Sequence, residues 1–264
     1  MVVRDLMHRG LHTCPPETRL AAVARLFVEH GVHALIVTDN AGEPAGVLSD
    51  YDLLAGEWLA TDEQSFKTMQ ELTAGEMMTT PLQTIEADTP AAEAASRLRL
   101  EHLARLVVTE VGRPVGIIAV SDLVRNLVTP RASRETVADV MSWGIVTCRP
   151  ETPLPAVARA MDERRARSVV VLDPGGSPLG VLTGHDLLSV YETGMQDSTA
   201  ADLMHEALTI RPDASLSEAA DKMVRHEVHR LVVVEGDDRA QVPLGVISTS
   251  DIVAEMAAPE SVWR

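Results

Sequence analysis

The chain has 264 residues, of which 45% are hydrophobic, 3% aromatic and 23% charged, with a formal net charge of −16. That length suits one large domain or two of ordinary size, with enough apolar residues for a sizeable core. The acidic excess repels phosphate backbones and the scarcity of aromatics leaves little platform for stacked bases, so no nucleic-acid partner is expected. No stretch reaches the ~18 apolar residues of a membrane span, and the opening MVVRDLMHRG lacks an apolar signal core. The expectation is a cytoplasmic protein with no membrane partner. Cys14 and Cys148 are too few for a disulfide scaffold and lack metal-site spacing; both read as small core residues.

In chain order, four units share one plan. The first opens on Arg4-Asp5-Leu6-Met7, runs through Thr13-Cys14-Pro15-Pro16-Glu17-Thr18-Arg19-Leu20 and ends on Gly46-Val47-Leu48-Ser49-Asp50-Tyr51-Asp52. The second opens on Gly75-Glu76-Met77-Met78, carries Glu93-Ala94-Ala95 and ends on Gly116-Ile117-Ile118-Ala119-Val120-Ser121-Asp122. A polar connector with Pro, Arg and Ser, Thr129–Thr136, follows as the expected boundary. The third opens on Ala138-Asp139-Val140-Met141 and ends on Gly180-Val181-Leu182-Thr183-Gly184-His185-Asp186. The fourth opens on Ala201-Asp202-Leu203-Met204 and ends on Gly245-Val246-Ile247-Ser248-Thr249-Ser250-Asp251. A period of roughly 65–70 residues marks an internal repeat. Repeat 3 copies repeat 1 at its opening, Thr147-Cys148-Arg149-Pro150-Glu151-Thr152-Pro153-Leu154, and repeat 4 matches repeat 2 at Glu218-Ala219-Ala220, with a short insertion within Glu235–Pro243. One duplicated pair accounts for all four.

Within a repeat the pattern is β-α-β-β-α, an α+β fold. In repeat 4, Leu208-Thr209-Ile210 reads as a strand, and Asp213 or Ser215 as a helix cap. Leu216, Ala219, Ala220, Met223 and Val224 recur at helical spacing. Leu231-Val232-Val233-Val234 and Val242–Ile247 read as buried strands joined by a polar hairpin at Glu235–Gln241. Ser250 or Asp251 then opens a helix through Val253, Ala254 and Met256. Each repeat therefore ends its last strand with Gly, two apolar residues, a small residue, two variable residues and Asp. A carboxylate there can accept two hydroxyls of a cis-diol, and free N–H groups at the strand-to-helix junction favour phosphate. A single Ser/Thr-x-x-Asp is as readily a helix cap.

On these residues the chain resembles the CBS domain family along nearly its whole length. The resemblance implies CBS domains at 1–62, 72–128, 136–195 and 199–264, paired into two Bateman modules, 1–128 and 136–264, with ligand sites in the clefts between repeats. It implies an adenine nucleotide or adenosyl ligand, such as AMP, ADP, ATP or an S-adenosylmethionine-like compound, with no required cofactor. Asp would hold the ribose, Ser or Thr and nearby basic residues the phosphates, and the first strand of the partner repeat the adenine. Repeat 4 is also similar to the nucleotide-binding gamma subunit of AMP-activated protein kinase. There His229, Arg230, Ser248 and Ser250 would meet phosphate and Asp251 the ribose. Repeat 1 supplies His33, Ser49 and Asp52; repeat 3 supplies Arg167, Thr183 and Asp186. Repeat 2 supplies Arg105 and Asp122 and keeps Ser121, but has Ala119 where the hydroxyl belongs, so its site is expected to be weakest.

No catalytic motif accompanies the repeats: Lys67 and Lys222 offer no credible amine nucleophile, and nothing pairs a nucleophile with a base. The expectation is a regulatory ligand sensor, not an enzyme, acting on a protein target on another chain. The alternative is an oligomerisation scaffold with empty clefts. His30-x-x-His33 and His226-x-x-His229 are better read as helix ends than as metal ligands, and no metal is expected. Four repeats in one chain suit a monomeric disc or a homodimer.

Overall fold

The structure, a computed structural model, describes residues 1–50, 52–53, 71–127, 135–190, 197–237 and 240–256. Most of the connector Thr129–Thr136, the end of repeat 1 at 54–62 and the last residues of repeats 3 and 4 lie outside them.

Each repeat builds a small mixed sheet. In repeat 1, β2 (Thr13–Cys14) runs parallel to β3 (Ala34–Thr38), which pairs antiparallel with β4 (Pro44–Ser49). Repeat 2 repeats this with β5 (Thr84–Glu86), β6 (Arg105–Glu110) and β7 (Arg113–Ala119). Repeat 3 uses β9 (Thr147–Cys148), β10 (Ser168–Leu172) and β11 (Pro178–Thr183). Repeat 4 uses β13 (Thr209–Ile210), β14 (Arg230–Asp237) and β15 (Ala240–Ser248). The parallel pair needs a crossover, which an amphipathic helix supplies in every repeat: Leu20–His30, Ala91–Leu100, Leu154–Glu163 and Leu216–Arg225. In the last of these Leu216, Ala219, Ala220 and Met223 are buried, while Val224 is 37% exposed. Ser215, not Asp213, caps it, accepting from Glu218 N–H at 3.1 Å. The described residues of the insertion in repeat 4 lengthen the β14–β15 ladder, whose strands run to Asp237 and from Ala240.

Three of the four sheets gain an edge strand from the opening of another repeat. β1 (His8–Arg9) joins β7 of repeat 2, β8 (Ser142–Trp143) joins β15 of repeat 4, and β12 (His205–Glu206) joins β11 of repeat 3. In repeat 1 the same exchange is reduced to a bridge between Val47 and Thr79. Openings are thus exchanged between repeats 1 and 2, and between 3 and 4.

The cores group differently. One compact unit comprises residues 1–11, 83–145 and 207–264; the other comprises 12–82 and 146–206. The expected division into consecutive modules, 1–128 and 136–264, therefore cuts across both units. The physical reason is that helices of repeats 2 and 4, and residues of repeats 1 and 3, bury their apolar faces in shared cores. In the first unit, the helices Ala91–Leu100 and Val120–Leu127 of repeat 2 pack on Thr249–Met256 of repeat 4, and Leu98, Leu123, Met223 and Ile252 share one core. In the second, Phe27 and Leu35 of repeat 1 share a core with Met161 and Leu182 of repeat 3. Cys14 is buried there, and Cys148 is partly buried against it; burial raises both thiols above their usual range.

Candidate functional site

Each crossover helix ends at a residue in the left-handed region: Gly31, His102, Arg165 and Glu227, with φ between 50° and 59°. Glycine relieves the Cβ clash there only in repeat 1. This reversal brings the residue two further on, His33, Ala104, Arg167 or His229, to the mouth of the sheet. At that point His33 O accepts from Asp50 N–H, Ala104 O from Val120 N–H and His229 O from Thr249 N–H, at 3.2, 3.1 and 3.0 Å. The next residue stands across the ladder from the small residue of the motif: Ala34 opposite Ser49, Arg105 opposite Ala119, Ser168 opposite Thr183 and Arg230 opposite Ser248. Arg167, His229 and Ser250 are exposed, whereas His33, Arg105, Arg230 and Ser121 are partly buried.

All four motif aspartates cap the helix that follows. Asp52 Oδ2 accepts from Ser49 N–H at 2.7 Å and Oγ–H at 2.6 Å. Asp186 Oδ2 accepts from Thr183 N–H and Oγ1–H, both at 2.7 Å, and Asp251 Oδ2 from Ser248 N–H and Oγ–H, both at 2.7 Å. Asp122 Oδ2 accepts only from Ala119 N–H, at 2.8 Å, because Ala119 has no hydroxyl.

The exchanged strands complete the site, and they explain the invariant position of the motif glycine in all four repeats. A Cβ at Gly245 would lie 2.5 Å from Ser142 O, one at Gly180 2.9 Å from His205 O, and one at Gly116 would overlap His8 O. The backbone of the incoming strand occupies that space. The residue after the opening methionine then faces the motif aspartate in two repeats. His8 Nε2 sits 2.8 Å from Asp122 Oδ1, and His205 Nε2 sits 2.9 Å from Asp186 Oδ1. The Asp122 side chain is 3% exposed, and burial pushes its carboxyl up despite Ala119 N–H and His8 beside it; that of Asp186 is 12% exposed.

His8 and His205 were missed as site residues. Their signal was the shared Met-His in Met7-His8 and Met204-His205, which gains meaning only once strand exchange is known. The repeat 1 junction holds a further surprise. His33, expected at phosphate, has its Nδ1 2.7 Å from Asp50 Oδ2, and His185 Nδ1 approaches the same oxygen at 3.2 Å. The two histidines of His30-x-x-His33 part company at Gly31, and His30 instead stacks on His12 with ring centroids 4.6 Å apart.

The profile of the CBS domain matches residues 3–57, 74–129, 137–193 and 200–258. Uncharacterized protein MJ1404 of Methanocaldococcus jannaschii is 24% identical over 97% of this chain, which spans only 62% of that protein's length. The CBS domain-containing protein DDB_G0289609 of Dictyostelium discoideum is 30% identical over 48% of this chain and 92% of its own. Among solved structures, protein MJ1225 of Methanocaldococcus jannaschii, described as a candidate archaeal homologue of gamma-AMPK, superposes with a TM-score of 0.79 at 19% identity. That match covers 96% of this chain and 99% of the other. Among the described residues, no helix is long and apolar enough to cross a membrane.

Proposed function

Because the chain belongs to the CBS domain family, in four copies, we propose that it is a regulatory ligand sensor that binds an adenine nucleotide or an adenosyl compound and passes its occupancy to a separate protein. The observation that carries this reading is the repeat 4 junction. Of the four junctions, only repeat 4 sets a guanidinium, Arg230, directly across the ladder from a hydroxyl, Ser248, that is itself bonded to the motif aspartate. Cation, hydroxyl and carboxylate then stand in the order that phosphate and ribose require, at the start of the helix Thr249–Met256, whose N–H groups add to the attraction for an anion. Repeat 2 has Arg105 but no hydroxyl, and repeats 1 and 3 have the hydroxyl but no cation opposite it. Regulation without catalysis is the reading that such a site supports, since Asp251 Oδ2 is held by Ser248 N–H and Oγ–H as a helix cap.

Titration calorimetry of protein stripped of bound small molecules, against AMP, ADP, ATP and S-adenosylmethionine, tests this. At a hundredfold excess over Kd, a ligand specific for the folded state stabilises it by about 2.7 kcal/mol, a readily seen thermal shift. No heat and no shift from any of the four at millimolar concentration would overturn the sensor reading in favour of an interaction scaffold.

A further inference from the structure

We propose that His33, Asp50 and His185 bind a divalent transition-metal ion of the zinc class within the unit formed by repeats 1 and 3. One ligand atom from each of the three lies within 4.8 Å of the others. The positions are held by backbone. His33 precedes β3 and Asp50 follows β4, so they flank the last pair of that ladder, Ala34 opposite Ser49, and Asp50 N–H donates to His33 O at 3.2 Å. His185 lies in the first turn of the short helix Gly184–Leu187, immediately after β11. Both imidazoles turn Nδ1 to one carboxylate oxygen, Asp50 Oδ2, and their ring centroids stand 4.3 Å apart.

Two imidazoles and a carboxylate form a nitrogen–oxygen set that suits zinc, cobalt, nickel or copper, and not the all-oxygen shell of calcium or magnesium. A tetrahedral zinc with bonds of about 2.0–2.2 Å spaces its ligand atoms roughly 3.3–3.6 Å apart. The His185–Asp50 separation of 3.2 Å is near that spacing, and the His33–Asp50 separation of 2.7 Å must open by about 0.6 Å. The carboxylate between the rings favours a cation over an anion at this point. The Asp50 side chain is 15% exposed and the imidazoles 39% and 33%, so three protein ligands come from a mostly covered carboxylate and two rings that still reach solvent. A fourth, exchangeable ligand can therefore come from water.

The set is not a by-product of the repeat. At the positions of His33 and Asp50, repeat 2 has Ala104 and Val120, repeat 3 has Arg167 and Gly184, and repeat 4 has His229 and Thr249. Only repeat 1 places a carboxylate after the last strand, and only repeat 3 answers it with a histidine.

The test uses the full chain, stripped with a chelator, and metal alone with no nucleotide present, so failure of the nucleotide reading leaves it intact. Cobalt(II) should bind at one equivalent, with the intense visible bands of four-coordination, and be displaced by zinc(II) but not by magnesium(II). Asp50→Asn and His185→Gln should each weaken binding by about 100-fold or more, beyond the 10–100-fold that outer partners of a metal site typically account for. His30→Gln should leave it unchanged. Circular dichroism of each variant excludes loss of fold, and Asp50→Asn keeps a hydrogen-bonding group in place. Absence of binding at 100-fold excess metal, binding that survives both substitutions, or binding abolished by His30→Gln would each overturn the assignment.

Discussion

Removing the imidazole of His8 should destabilise the protein far more than removing that of His205, although the two make the same contact. His8 and His205 are themselves largely exposed, at 68% and 75% of the side chain, so truncation to alanine forfeits little burial in either case. The difference lies in what is left behind. Among the described residues Asp122 would keep one hydrogen-bond donor, Ala119 N–H, for a carboxylate that is 3% exposed. Asp186 would keep Thr183 N–H and Oγ1–H and is 12% exposed, so water can replace the lost ring. A hydrogen bond to a charged, buried group is worth about 1.5–3 kcal/mol, and an exposed pair at most about 1 kcal/mol. At about 2–4 °C per kcal/mol for a chain of this size, His8→Ala should lower Tm by about 3–12 °C near pH 7.5, and His205→Ala by no more than about 4 °C. The Asp122 carboxyl is already raised by burial, and losing His8 removes an influence that lowers it. The cost of His8→Ala should therefore shrink once the pH is low enough to protonate Asp122, because a neutral carboxyl no longer needs the partner. Equal losses for the two variants, or a His8→Ala cost that persists undiminished where Asp122 is protonated, would refute this account.

Other consequences can be checked by the same melts. Asp251→Ala removes the acceptor for Ser248 N–H and Oγ–H, so the ligand-free protein should lose about 1–2 kcal/mol, whereas Asp251→Asn keeps an acceptor and should lose less than half of that. Glu255 is raised from 4.5 to about 7 by burial and by Glu135 beside it, with Arg99 opposing. An acid raised in the folded state binds its proton there between about pH 4.5 and 7 while the unfolded chain does not, so this pair costs stability as pH rises through that window. Glu255→Gln should raise Tm by about 1–4 °C at pH 8, a figure reduced for its solvent exposure, and leave it nearly unchanged at pH 5. Gly116→Ala would place a methyl against His8 O and 3.3 Å from Met7 Sδ, and should cost about 1–3 kcal/mol by displacing β1; an unaltered Tm would show that the strand is not so closely seated.

The four repeats, their β-α-β-β-α plan and the junction motif were legible because each rests on local pattern. Leu216, Ala219, Ala220 and Met223 announce a helix face, Leu231–Val234 a buried strand, and Gly245-Val246-Ile247-Ser248 the return strand with its turn into a helix. Strand exchange was not legible. β1, β8 and β12 are two residues each, too short to carry a period, and their partners lie in other repeats. The grouping of cores was hidden for a related reason. An amphipathic helix declares that it has an apolar face, but Ile252 and Leu123 do not declare each other. His33, Asp50 and His185 show the same limit, since Asp50 looks like a variable position of the motif until repeat 3 brings a second imidazole to it. The spacing His30-x-x-His33 reads as a helix end, and Gly31 does end the helix between the two histidines, so it gives no hint of the contact between His33 and Asp50.

A helix cap and a ribose contact are ordinarily weighed as rival explanations of one aspartate, yet a carboxylate has two oxygens and the cap occupies only Oδ2. In repeats 2 and 3 the second oxygen, Oδ1, already faces an imidazole, so a sugar hydroxyl there must compete with His8 or His205. The two cases should respond oppositely when the competitor is removed. Asp186 is partly exposed and keeps its cap, so His205→Ala leaves Oδ1 for a hydroxyl without loss of the junction. The nucleotide affinity of repeat 3 should then rise by about three- to tenfold, the equivalent of a neutral hydrogen bond of about 0.7–1.4 kcal/mol. Asp122 is 3% exposed and keeps Ala119 N–H without a hydroxyl beside it, so His8→Ala should cost more stability than a sugar hydroxyl at Oδ1 can offset. Calorimetry of wild type and both variants with the tightest-binding nucleotide reads this directly, as an added or strengthened transition in His205→Ala alone. Weaker binding in His205→Ala, without a matching loss of stability, would mean that the imidazole is itself a ligand contact and that competition is the wrong description.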